Sequence, residues 1–203
     1  MSRLEVLVEE PSMEEALRHL LPKIIGNRAG WKVINMGSKG RLMKELPNRL
    51  RGYKQRMDKG EKIKIIVLID RDNDNCHDLK RQLEDMARKA GLQTKTAAGT
   101  GGAAFQVVNR IAIEELEAWF MGDTAALQCA FTSLRGVRFP NSFNNPDNDG
   151  TWERLHHFLK QNGIYRKSYP KIDAARTIAK HMDPGRNRSR SFQYFVQGVE
   201  ACL

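Results

Sequence analysis

The chain reads as an α/β domain of three layers, a mainly parallel central sheet between helices, with additional helices at its C-terminal end. Three observations predict this. Two short runs built almost wholly of Val, Ile and Leu, Leu4 to Val8 and Ile63 to Ile69, have the composition of strands covered on both faces. Such runs alternate with amphipathic helical stretches, the order of a parallel sheet with right-handed crossovers. Acidic clusters, Glu9-Glu10 and Asp70-Arg71-Asp72-Asn73-Asp74, follow the two runs directly, at strand ends where open parallel sheets bind their ligands.

After the first strand, Pro11 and Ser12 open a helical pattern from Met13 to about Ile25, with Leu17, Leu20, Leu21 and Ile24 on one face. Gly26 and Gly30 end it. Trp31 to Met36 predicts a second strand, followed by Gly37-Ser38-Lys39-Gly40 and a basic helix through Tyr53. The third strand comes next, then a helix from about His77 to Ala90 stopped by Gly91. Ala97 to Ala104 holds Gly99-Thr100-Gly101-Gly102 but lacks the Gly-Lys-Ser/Thr ending of a phosphate loop, so it reads as a mobile loop. Phe105 to Ile113 is a fourth strand leading into Glu114-Glu115-Leu116-Glu117-Ala118-Trp119. Residues 136–150 are rich in Asn, Pro, Asp and Gly and read as an irregular loop. Thr151 to Gln161, Asp173 to His181 and Ser191 to Ala201 complete the chain as three shorter helices. At 203 residues there is one substantial core, divided as a domain over 1–135 and a loop and helical extension over 136–203 packed on it.

The acids after the strands carry the chemistry. Asp70 and Asp72 are two apart, so continued strand geometry sends both to one side and Arg71 to the other. Facing Glu9, they make a set of hard oxygen donors suited to Mg²⁺ or Mn²⁺. Taken singly, each cluster also fits a helix cap or a solvated turn. If a helix starts at Glu114, then Glu114 and Glu117 share a face and Glu115 lies off it; acids there also favour the helix dipole.

A formal charge of +10 points to a polyanionic partner, nucleic acid first. The excess gathers in two places. Lys39 to Lys64 includes Arg41, Lys44, Arg49, Arg51, Lys54 and Arg56, which a solvated helix face explains as well as DNA does. Arg166 to Arg190 includes Lys167, Lys171, Arg186, Arg188 and Arg190 and runs into Asn187-Arg188-Ser189-Arg190-Ser191, a row of donors suited to phosphate oxygens. The three cysteines, Cys76, Cys129 and Cys202, show neither metal-ligand spacing nor a disulfide framework, which fits a reducing cytoplasm. Met1 to Val8 reads as a strand and not a signal peptide, and no stretch is apolar enough to span a bilayer.

Four motifs in order resemble one family: Leu7-Val8-Glu9-Glu10-Pro11-Ser12-Met13-Glu14, Val67-Leu68-Ile69-Asp70-Arg71-Asp72-Asn73-Asp74, Arg110-Ile111-Ala112-Ile113-Glu114-Glu115-Leu116-Glu117-Ala118-Trp119-Phe120 and Asn187-Arg188-Ser189-Arg190-Ser191-Phe192. Together they resemble the Toprim-like domain-of-unknown-function family 4276 over nearly the whole chain. Toprim domains are metal-dependent catalytic modules of topoisomerases, primases and overcoming-lysogenization-defect nucleases. The resemblance implies a Toprim-like fold, with Glu9 in the role of the glutamate after the first strand and Asp70 and Asp72 as the Asp-x-Asp pair holding Mg²⁺. The Gly that usually follows that glutamate is Glu10 here, which alters the turn and leaves Glu9 in place. Relatives are thought of as defence-associated nucleases working beside an ATPase.

The expected activity is therefore metal-dependent hydrolysis of a phosphodiester in DNA, ahead of RNA. Glu9, Asp70 and Asp72 hold one ion, while Asp74, Glu114 or Glu117 complete a second site or orient water. Lys39 serves catalysis by gripping the phosphate with Arg188 or Arg190, and Arg41, Lys171 and Arg186 add to the nucleic-acid surface. No Ser, Tyr or His is placed as a covalent nucleophile. A non-catalytic nucleic-acid or partner-binding module is the alternative, and a receiver-like phosphoacceptor is a third reading that lacks its Thr and Lys partners.

Overall fold

The computed structural model describes residues 3–148 and 150–203; Met1 and Ser2, at the head of the expected first strand, lie outside them. Four parallel strands, β1 (Arg3–Val8), β2 (Gly30–Asn35), β3 (Ile63–Asp70) and β4 (Val107–Ala112), form one sheet in the order β2-β1-β3-β4. Register aligns the strand ends: Val8 pairs with Asn35 and Leu68, and Asp70 with Ala112. The residues after β1, β3 and β4 thus emerge along one edge.

Helices cover both faces because the strands are apolar on both. On one side Leu7, Ile65, Val67 and Ile69 pack under α2 (Lys39–Asp58) and α3 (Cys76–Lys89) through Leu42, Leu46, Leu50, Leu79 and Leu83. On the other, Leu4, Val6, Val8, Ile66, Leu68 and Val108 meet a larger helical layer. That layer holds α1 (Pro11–Ile25), α5 (Glu117–Met121), α6 (Thr124–Ala130), α7 (Thr151–Gln161), α8 (Lys171–Ala179) and α9 (Arg190–Glu200), with a single turn, α4 (Lys95–Ala98), at the opposite end of the sheet before β4. Within it α8 lies along α1, and α9 lies along β4. This is the expected three-layer α/β architecture. Among the described residues no helix is long and apolar enough to cross a membrane.

Local chemistry sets the helix starts. Pro11 sits in the first turn of α1, where its missing N–H is no loss. Ser38, Asn75, Asp123 and Ser189 cap α2, α3, α6 and α9 by accepting from backbone N–H groups. Two expectations are corrected. No helix begins at Glu114: α5 starts at Glu117, so Glu114 and Glu117 do not share a helix face. Strand geometry also ends at Asp70, and Asp72 takes a left-handed φ of 51°, so the alternation that would send Asp70 and Asp72 to one side is broken. A backbone pair ties the turn to the next strand end: Arg71 N–H donates to Ala112 O (2.9 Å) and Asp72 N–H to Glu114 O (3.0 Å).

Candidate metal centre

The alternation of β3 places Asp70 with Ile66 and Leu68, facing the layer of α1, α5 and α8. Glu9 follows β1 and is buried, its Oε1 accepting from Asp70 N–H at 2.7 Å. Glu117, the first residue of α5, is 1% exposed and Asp70 3%. Carboxylates from three distant parts of the sequence thus meet beneath the C-terminal edge of the sheet.

Their hydrogen bonding is incomplete. Asp70 Oδ1 is buried with no hydrogen-bond partner; the Glu117 carboxylate and the Tyr169 hydroxyl are likewise buried, facing each other without a well-formed hydrogen bond. Buried polar atoms are almost always paired, so carboxylate oxygens left in this state require a physical cause. The electrostatics agree. Burial, then the charge of Asp72, pushes Glu9 up to about 7 despite the bond from Asp70 N–H. Burial does the same to Glu117, which rises to about 7. Asp70 is raised well above the usual carboxylate range by burial and then by Glu9, Glu117, Glu10 and Asp72.

Two lysines flank the acids. Lys39, the first residue of α2, donates to Asp70 O (2.8 Å), Arg71 O (2.9 Å) and Asp72 Oδ2 (2.9 Å), and pairs with Asp74 Oδ2 at 2.7 Å. It fastens the acidic turn, and Asp74 belongs to that exposed pair. Lys171, the first residue of α8, lies 3.7 Å from Glu115 Oε1. Burial opposes its charge, while Glu117, Glu10, Glu115 and Asp70 hold it protonated. Lys171 therefore sits at the acids and away from the basic tail with which the sequence groups it.

The remaining candidates divide. Glu114 is fully engaged: Oε1 accepts from Arg71 Nη2 (2.8 Å) and Oε2 from Gly150 N–H (2.5 Å) and Thr151 N–H (3.3 Å), which holds the start of α7. Arg186 forks onto buried Asp123, Nε to Oδ1 at 2.8 Å and Nη2 to Oδ2 at 3.0 Å. Arg41 pairs along its helix with Glu45. Asn187, Ser189 and Ser191 do not present donors to solvent: they are buried, Asn187 donating to Trp119 O (2.7 Å), and both serines to Asp147 Oδ1. Only Arg188 and Arg190 of that motif are exposed. Sequence reasoning passed over Glu10 and Glu115 as members of the cluster and Tyr169 as its wall. Glu10 is adjacent to Glu9, and Glu115 lies in the third acidic run, so both were signalled; Tyr169 was not.

Among the described residues, no three His, Cys, Asp or Glu side chains stand ready to hold one metal ion. The donor chemistry still fits a hard divalent cation, because carboxylate oxygens lack well-formed hydrogen bonds there and the acids outnumber the two lysines beside them. No curated protein and no solved structure matches the chain. A family model matches residues 8–200, from the end of β1 through α9 and including all three acidic clusters, and the chain belongs to that family, the domain of unknown function DUF4276.

Proposed function

We propose that the protein is a metal-dependent phosphodiesterase acting on nucleic acid, with Glu9, Asp70 and Glu117 as the principal Mg²⁺ or Mn²⁺ donors and Asp72 and Glu10 beside them. The observation that carries this is the set of buried carboxylate oxygens without a well-formed hydrogen bond on Asp70 and Glu117. A bound divalent ion supplies a Lewis acid for the phosphoryl oxygen and lowers the pKa of attacking water. The chain's own contribution is electrostatic. Burial keeps Glu9, Asp70 and Glu117 short of solvent, so a cation meets them without first stripping water from them. Lys39 holds Asp72 and Asp74 at the rim, and its three N–H donors are taken up by that turn, so it positions the acids and does not grip the phosphate. The resemblance to Toprim nucleases extends the reading to DNA ahead of RNA, and to cytoplasmic defence beside an ATPase partner.

Two observations favour a second reading, a non-catalytic binding module. Lys39 and Lys171 already offset part of the acidic charge, and no ready-made three-ligand group is present among the described residues. Cleavage of plasmid and single-stranded DNA in Mg²⁺, Mn²⁺ or EDTA, with wild type beside Glu9→Gln, Asp70→Asn and Glu117→Gln, separates the two. Metal-dependent cutting lost in all three variants is the expected result. Binding without cutting, alike in all four proteins, sinks the phosphodiesterase reading.

A further inference from the structure

One concavity lies away from the acids. A cleft of about 820 Å³ lies beyond β4, the outer strand of the sheet, between α3 and α9. Lys80, Arg110, Arg188 and Arg190 line it against a single carboxylate, Asp147. That carboxylate is internally committed, accepting from Ser189 Oγ at 2.8 Å, Ser191 Oγ at 2.7 Å and Arg190 N–H at 2.6 Å. Lys80 is paired with Glu84 Oε1 at 2.9 Å, so three arginines against Asp147 leave the wall net positive.

The cations differ in how they are held. Lys80 Nζ and Arg110 Nη1 both donate to Asn109 O, at 2.8 and 3.0 Å, which blunts the open edge of β4. Among the described residues Arg188 touches one neutral group, Asn144 Oδ1 at 3.1 Å. Among the described residues no hydrogen bond or ion pair holds the Arg190 guanidinium. One turn along α9 stands Tyr194, 60% exposed, the most exposed large aromatic or aliphatic side chain among the described residues. Its backbone is fixed, since Arg110 Nε donates to Tyr194 O at 2.6 Å and Gly198 lets Arg110 pass beneath the helix.

We propose that this cleft binds a single-stranded nucleic-acid segment, its phosphates on Arg188 and Arg190 and one base stacked on Tyr194. The proposal rests on the nucleic-acid reading above and narrows it to an unpaired strand. Phosphate contacts and an aromatic platform together are what single-strand binders use, whereas duplex bases are already stacked on one another. The volume lies in the small-ligand range, which admits a few unpaired nucleotides and not a duplex. The cleft also runs along β4 to Ile113, next to Glu114, so a strand lying in it leads toward the carboxylate edge.

The test is fluorescence anisotropy of the full chain in EDTA, with a labelled oligothymidylate of about twelve nucleotides and a duplex of the same length. Expected is tighter binding of the single strand, weakened about 5- to 100-fold in Tyr194→Ala and retained in Tyr194→Phe. Arg190→Ala is expected to flatten the slope of log affinity against log salt by about 0.7. Tyr194 and Arg190 are exposed, so neither change opens the core. Equal binding of wild type, Tyr194→Ala and Arg190→Ala, or a preference for duplex, overturns the cleft and leaves the nucleic-acid reading standing. No binding of either probe at low salt overturns both.

Discussion

Replacing Glu117 with glutamine isolates the cost of holding a buried carboxylate. Glu117 titrates near 7 in the folded chain instead of at 4.5, so folding favours its protonated form. The sign follows: its contribution to stability is fully present below the unfolded pKa and is lost as pH rises through the folded one. Integrating over that window, the ionised group costs roughly 1 kcal/mol at about pH 5 and roughly 3 kcal/mol at about pH 8. A neutral isostere escapes the cost. Glu117→Gln should therefore be more stable than wild type by about 3 kcal/mol at the higher pH and about 1 at the lower, or roughly 5–10 °C in Tm at the higher pH. Urea unfolding in EDTA at both pH values measures it. A gain of equal size at the two, or a loss at the higher pH, refutes the claim that burial of Glu117 outweighs the charge of Lys171 beside it.

Metal binding should remove the same penalty, so Mn²⁺ or Mg²⁺ at about a hundred times its Kd should stabilise wild type by about 2.7 kcal/mol near pH 8, read as a Tm shift that Asp70→Asn abolishes. Gly122→Ala should cost about 2–4 kcal/mol in urea unfolding, because its new Cβ would fall 2.2 Å from Asn187 Oδ1 and 2.8 Å from Ser189 N. Arg186→Ala should destabilise by about 2 kcal/mol, since it strips the fork from buried Asp123. The same variant should leave the salt slope of oligonucleotide binding unchanged, which separates it from Arg190→Ala.

The parallel sheet was legible because its strands are apolar on both faces and end in acids, a pattern that periodicity reveals directly. The carboxylate cluster was legible in outline: Glu9 and Asp70 follow from strand ends, and Glu117 from the third acidic run. Its detail was not. The kink at Asp72 depends on a left-handed φ and on backbone bonds to Ala112 and Glu114, contacts across strands that local spacing cannot express. α6 escaped notice because Thr124–Ala130 is only seven residues of weak pattern, held by the Asp123 cap. The basic tail misled for a related reason. Asn187, Ser189 and Ser191 look like phosphate donors in one dimension, but their partners, Trp119 and Asp147, lie far away in sequence.

Glu5 supplies an internal control for the metal argument. Like Asp70 it is a buried carboxylate on this sheet, but alternation along β1 turns it to the opposite face, beneath α2. There Tyr53 donates to it and the guanidinium groups of Arg3 and Arg56 lie 3.4 and 3.5 Å away. Asp123 is likewise saturated, by Arg186 and the N–H groups of Ala126 and Asp183. Where this fold buries a carboxylate for structure, it surrounds it with donors. At Asp70 and Glu117 oxygens are left without a well-formed hydrogen bond; Glu9 adds repulsion at Asp70 and Glu115 at Glu117, where Lys171 offsets only part of it. Stability alone would favour the opposite arrangement, because an unpaired buried acid is among the most destabilising features a core can hold. The contrast within one molecule is the ground for proposing a cation beside Asp70 and Glu117.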